Sequence, residues 1–163
     1  MLIMISSALN MHNEEEDVVE YKGHKFVKAD NGWLTYLENE KPVIVLNNPD
    51  ELKNLSINYV NLNLFNYLQK IYITYNPKER VRKALQEFSR ELKFTPLMLP
   101  ACTVDVPECS NLPLKDCNST SSNIGVILFR EANESNVYMD NNCLVIEGKE
   151  LDKVVDKLIL EQL

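Results

Sequence analysis

Glycine is scarce in this chain, with four copies in 163 residues, and that scarcity removes a class of sites. Loops that cradle phosphates or dinucleotides need closely spaced glycines to let the backbone approach the ligand, and no Walker-type or G-x-G-x-x-G run is present. The two histidines, His12 and His24, are too few and too far apart for a histidine-based triad or an H-E-x-x-H metal motif. No G-x-S-x-G elbow occurs. No continuous apolar run approaches the roughly 18 to 20 residues needed to cross a bilayer. Cysteine is missing from the first 101 residues, and no two cysteines stand in C-x-x-C spacing. This disfavours both a catalytic dithiol and the paired ligands of structural zinc.

Positive charge is also in deficit. Seventeen Lys and Arg against 24 Asp and Glu give a net charge of −7. The densest basic group, Lys78, Arg80, Arg82 and Lys83, is interleaved with Glu79 and Glu87, as on a solvated helix face. A nucleic-acid partner held through its phosphates is therefore not expected. The 45% apolar and 25% charged composition is that of an ordinary globular chain. The length suits one compact α/β domain, expected over residues 21–163. Residues 1–20 read as a flexible acidic arm or targeting remnant. Met1 to Leu9 are apolar and end in small residues, and Glu14, Glu15, Glu16 and Asp17 are consecutive rather than spaced like calcium ligands.

What is present is a legible order of elements. Lys25 to Lys28 alternates, Asp30-Asn31-Gly32 supplies a turn, and Trp33 to Leu37 resumes the alternation, which predicts a β-hairpin. Val43 to Leu46 reads as a third, buried strand, and Trp33 as core rather than a stacking platform. Residues 54–69 read as a strand followed by a short helix. Lys70 to Tyr75 reads as a strand, with Asn76-Pro77-Lys78-Glu79 as a capped helix start. The stripe Val81, Ala84, Leu85, Phe88 and Leu92 then predicts a helix over 77–92. A short return strand bracketed by Pro96 and Pro100 completes a βαβ unit. Residues 101–123 read as a long loop, residues 124–146 as a three-stranded β-meander, and residues 149–163 as a closing helix with its stripe at Leu151, Val154, Val155, Leu158 and Ile159. The outline is compatible with a thioredoxin-like fold, and outline alone fixes no function.

The cysteines, Cys102, Cys109, Cys117 and Cys143, fall in and beside the long loop. A structureless run of that length needs a staple, and an even set of thiols in loop-like sequence reads as two disulfides. Four cysteines permit three connectivities. The expected pairs are Cys109 with Cys117, closing a small loop around Pro113, and Cys102 with Cys143. Three sequons, at Asn54, Asn118 and Asn133, are glycosylation candidates. Asp105 and Glu108 form an acid pair near the loop, read as solvated. No catalytic, cofactor-binding or metal-ligating residue is identified, and no cofactor is expected.

Gly32-Trp33, Tyr72-Ile73-Thr74 with Asn76-Pro77, Pro113 to Cys117, and Asn142-Cys143-Leu144 together resemble a group of archaeal extracytoplasmic proteins with a cysteine-containing C-terminal half. The resemblance covers residues 22–163. It implies a secreted or cell-surface location, with any membrane attachment through an N-terminal anchor that this chain lacks, and it brings no activity or catalytic residue. The function expected from the sequence is a disulfide-stapled interaction module without catalytic activity, binding a protein partner through the segment from Cys102 to Cys117. Two alternatives stand beside it: a thiol-disulfide oxidoreductase, and a cytoplasmic protein with four reduced thiols.

Overall fold

The computed structural model describes residues 17–163. The apolar start at 1–9, His12 and the acids Glu14 to Glu16 lie outside the described residues. The described chain gathers into two compact units, the first ending at Lys53 and the second spanning Asn54–Leu163.

The first unit is an antiparallel sheet in sequential order: β1 (Val18–Tyr21), β2 (His24–Ala29), β3 (Gly32–Tyr36) and β4 (Pro42–Val45). The hairpin and the third strand stand where alternation placed them, while Val18 to Glu20, read as the end of the arm, belong to β1. The signal for β1 is the turn after it. Lys22 and Gly23 both have positive φ, 49° and 80°, the two-residue geometry that matches the twist of a hairpin. Register puts Tyr21, Phe26, Trp33, Thr35, Val43 and Val45 on one face, and all are buried. The other face carries Val27 and Tyr36, both exposed, so only one face of the sheet is buried within the unit. Trp33 is core, as expected. Gly32 combines a φ of +150° with close packing, because a Cβ there would stand 2.4 Å from the Val45 carbonyl oxygen. Gly32→Ala is expected to lower stability by about 1–3 kcal/mol. Urea unfolding checks this, and an unchanged midpoint contradicts it.

The second unit is built on a five-stranded sheet: β5 (Lys70–Tyr75), β6 (Leu97–Cys102), β7 (Ile124–Glu131), β8 (Asn136–Asp140) and β9 (Cys143–Gly148). Their order is β6-β5-β7-β9-β8. All neighbouring pairs are parallel except β8 with β9. The expected meander over 124–146 is thus corrected. A meander would set β8 between β7 and β9, whereas β8 is the outer strand. The reason lies in composition. Ile124 to Phe129 and Cys143 to Ile146 are nearly unbroken apolar runs, which suit strands covered on both faces, while Asn136 to Asp140 mixes polar residues and suits an edge.

Two helices, α1 (Arg82–Glu91) and α2 (Leu151–Glu161), pack against each other, and α2 lies on β9. Phe88 of α1 meets Phe129 of β7 edge-on at 5.3 Å between ring centres. This face of the sheet buries Ile71, Ile127, Phe129, Val137, Leu144 and Ile146. The strand expected within 54–69 does not form. Residues 62–67 are a 3-10 turn started by Asn61, whose side chain accepts from the Asn63 N–H, and its Phe65 comes so close to Gly125 that a Cβ there would stand 3.0 Å from the ring. Among the described residues no helix is long and apolar enough to cross a membrane.

α1 begins five residues later than the capping signal at Asn76 to Glu79 implied. Asn76 Oδ1 accepts from the Lys78 N–H at 3.0 Å and its carbonyl from the Glu79 N–H, which closes a turn rather than a helix. The Glu79 carboxylate, expected to reach back to Asn76, accepts instead from the Glu131 N–H at 2.6 Å. Glu131 returns the interaction by accepting from the Arg80 N–H, also at 2.6 Å. These two bonds clasp the loop after β5 to the end of β7. The Arg80 backbone bond is the main cause that holds the Glu131 carboxyl below its ordinary range, with the Arg80 side chain adding to it. Because the folded value is depressed, this contribution to stability is complete above the ordinary carboxylate value. It is lost as pH falls through the lowered one. Glu131→Gln should therefore flatten the acid limb of stability against pH, recorded by urea unfolding from about pH 5 down to about pH 2.5. A limb parallel to that of the parent contradicts this.

Candidate functional site

The second face of the sheet is covered by the cysteine-bearing segment, and chain direction explains why. From β5 the chain moves through α1 to β6 on one side, then must pass back over β5 to reach β7 on the other. Right-handed connections in opposite directions lie on opposite faces. Residues 103–123 therefore take the place of a crossover helix, with only two 3-10 turns, Pro107–Cys109 and Cys117–Ser119. They cover an apolar cluster of Tyr72, Ala101, Val126, Leu128, Cys143 and Val145, bordered by Leu99, Cys117, Ile124 and Tyr138.

A segment with so little regular structure has few repeating hydrogen bonds, and covalent bonds hold it instead. Cys102 pairs with Cys109, and Cys117 with Cys143. The expected partners are corrected on both counts: Cys109 does not bond Cys117, nor Cys102 Cys143. The Pro107–Cys109 turn folds Cys109 back to the end of β6, with Cα atoms 6.1 Å apart, while the Cys117–Ser119 turn packs on β7 and is bonded to the first residue of β9, with 5.2 Å between the Cys117 and Cys143 Cα atoms. Asp116 fixes the second turn by accepting from the Asn118 N–H at 2.9 Å while its own N–H donates to Ser119 Oγ at 3.0 Å, a capping box in miniature. No free cysteine remains, and Cys102, Cys109 and Cys143 are buried.

Polar contacts complete the anchoring. Thr74 Oγ1 donates to the Lys115 carbonyl at 2.9 Å, and Lys115 Nζ lies 4.8 Å from the centre of the Tyr72 ring, with Lys70 Nζ at 5.5 Å, an arrangement that favours cations over the π face. Cys102 donates to the Pro113 carbonyl and accepts from the Lys115 N–H, so Leu114 bridges to it beside β6. Backbone groups alternate along a strand, so Met98 and Pro100 also face this outer edge. Pro100, expected to end the strand, lies inside it because the N–H it lacks would have pointed away from β5. At the amino end of β7, Asn142 Nδ2 donates to the Ser121 carbonyl at 2.7 Å and the Asn142 carbonyl accepts from the Val126 N–H.

The segment turns Glu108, Ser110, Asn111 and Leu114 to solvent, and Leu114 keeps 53% of its surface exposed. Beyond its reach the same sheet face ends in Arg130, whose Nε donates to Glu147 Oε2 at 2.6 Å and whose Nη2 donates to Tyr138 Oη at 2.8 Å. The Glu147 hydrogen bond is the largest cause that raises the Arg130 pKa. Asp105 and Glu108 are exposed and share no hydrogen bond among the described residues. The sequon residues Asn54, Asn118 and Asn133 are all exposed. No group of three or more His, Cys, Asp or Glu residues able to hold a metal occurs among the described residues. Tyr72, Thr74 and Lys115, which seat the segment, stand in the sequence within the short motifs Tyr72-Ile73-Thr74 and Pro113 to Cys117, which carry no indication of this anchoring role beyond the i, i+2 spacing of Tyr72 and Thr74 on one strand face. No family model, curated protein or solved structure matches the chain.

Proposed function

We propose that this chain is an extracytoplasmic, disulfide-stapled interaction module without catalytic activity, and that it meets a protein partner through the segment between Cys102 and Cys117. One observation carries the reading: two cystines tie an irregular segment to a rigid sheet, with Leu114 and its polar neighbours facing outward. Recognition loops commonly combine a fixed base with an exposed tip, since a pre-ordered loop loses less entropy on binding. Paired cysteines also agree with an oxidising compartment, as does the resemblance to archaeal extracytoplasmic proteins. The spacing and burial of the cystines favour structural bonds over an exchanging pair.

The test uses the oxidised full chain on the surface of intact source cells, beside Leu114→Asp and Asn111→Ala/Leu114→Asp variants. The proposal expects saturable binding that the variants weaken at least about tenfold. Equal binding by parent and variants overturns it. So does catalysis of insulin reduction above the background of dithiothreitol alone, which would support the oxidoreductase reading. Labelling of four thiols in unreduced protein from cells would support the cytoplasmic one.

A further inference from the structure

A second feature of the sheet lies away from the stapled segment. Connections leave β5 toward β6 on one side, while β7 adjoins β5 on the other. The carboxyl ends of β5 and β7 therefore flank a switch in winding direction, and in open parallel sheets the crevice outside such a point is where ligands bind. A cavity of about 350 Å³ lies there, lined by Arg80 after β5, by Glu131, Ala132 and Asn133 at and after β7, and by Lys149 after β9. Residues from three strand ends thus meet at one opening.

Its walls are fixed by hydrogen bonds. The Glu79 and Glu131 clasp joins the loop after β5 to β7, and the Ala132 N–H donates to the Gly148 carbonyl at 3.1 Å, which joins the ends of β7 and β9. The Arg80 backbone is fixed by Glu131, which roots the arginine side chain at the opening. Only its Nε approaches Glu131, at 3.4 Å, and the side chain is 89% exposed. Lys149 makes no ion pair among the described residues. The acids next to it in sequence are engaged elsewhere, Glu150 with Lys153 at 2.9 Å and Asp152 with Lys83 at 3.8 Å. Two cations therefore face one carboxylate in the lining of a chain whose net charge is −7.

We propose that this crevice binds a small oxyanion, a carboxylate or phosphate group, held by the Arg80 guanidinium and the Lys149 ammonium, with the Asn133 amide as a further donor. Arginine presents two parallel N–H groups that match such an anion, and lysine adds a point charge. Glu131 then serves a positioning role through the Arg80 backbone. The site stands independently of the stapled segment and of any protein partner.

The test is an amide NMR titration of the oxidised full chain with inorganic phosphate, and separately with citrate, at constant ionic strength. Sodium chloride is the control. The expected result is a saturable shift of the Arg80, Glu131, Ala132 and Lys149 amides with a millimolar midpoint for at least one of the two anions. The anion that binds tighter identifies the group. Arg80→Ala/Lys149→Ala should weaken that binding at least about tenfold, and Arg80→Lys should give a smaller loss because it keeps charge without the fork. Both positions are on the surface, and an unchanged urea midpoint shows that the variants fold. Shifts that chloride reproduces, that fail to saturate, or that persist unchanged in the double variant overturn the proposal.

Discussion

Cys117→Ala/Cys143→Ala is expected to lower the free energy of unfolding by about 3.5 kcal/mol, and Cys102→Ala/Cys109→Ala by about 2.4 kcal/mol. The difference follows from the length of chain each bond closes. Sequence separations of 26 and 7 restrict the unfolded ensemble by different amounts, since loop-closure entropy grows with the logarithm of length. Packing strengthens the order. Cys143 is fully buried in β9, within the cluster of Tyr72, Val126 and Val145, so its truncation also removes contacts in the middle of the sheet. The shorter bond fastens only the Pro107–Cys109 turn to the end of β6. Urea unfolding of both variants checks the ranking. A reversed order, or loss of less than about 1 kcal/mol for the longer bond, would mean that the segment is held mainly by noncovalent contacts.

Phe88→Ala should cost about 3–5 kcal/mol. Phe88 is fully buried, edge-on to Phe129 at 5.3 Å and stacked on Phe94 at 6.1 Å. It therefore joins α1, the turn into β6 and the central strand β7. The cavity left by its ring cannot be refilled by neighbours held on a sheet. Phe129→Ala should cost a similar amount, and the double variant less than the sum, because the two rings share one contact. Additive losses in the cycle would contradict an energetic coupling between the two rings.

These two variants probe the parts of the fold that sequence discloses unequally. β5 lies at Lys70–Tyr75, where alternation and the following turn placed it, and α1 carries the apolar stripe that defined it. Both signals are local, resting on residues within one turn or one strand. The direction of β9 is not local. Its all-apolar run argues for cover on both faces, and that argument points to a parallel partner once weighed against the more polar β8. Disulfide partners are further from reach, because order along the chain does not say that Cys109 folds back on β6 within one turn. The start of α1 moved for a related reason. Glu79 met the Glu131 N–H, 52 residues away, in place of its local partner. Residues from three strand ends meet in the crevice of Arg80, Glu131 and Lys149, and no window of sequence contains them all.

Two specific disulfides, Cys102–Cys109 and Cys117–Cys143, stand in for a crossover helix on the second face of the sheet. Tryptic mapping of the unreduced chain tests this directly, because Lys93, Lys115, Arg130 and Lys149 separate the four cysteines into three peptides. The expected map shows peptide 94–115 alone, lighter by two hydrogens than its reduced form, and peptide 116–130 joined to 131–149. A single species linking all three peptides, or cysteines that alkylate without reduction, would contradict it.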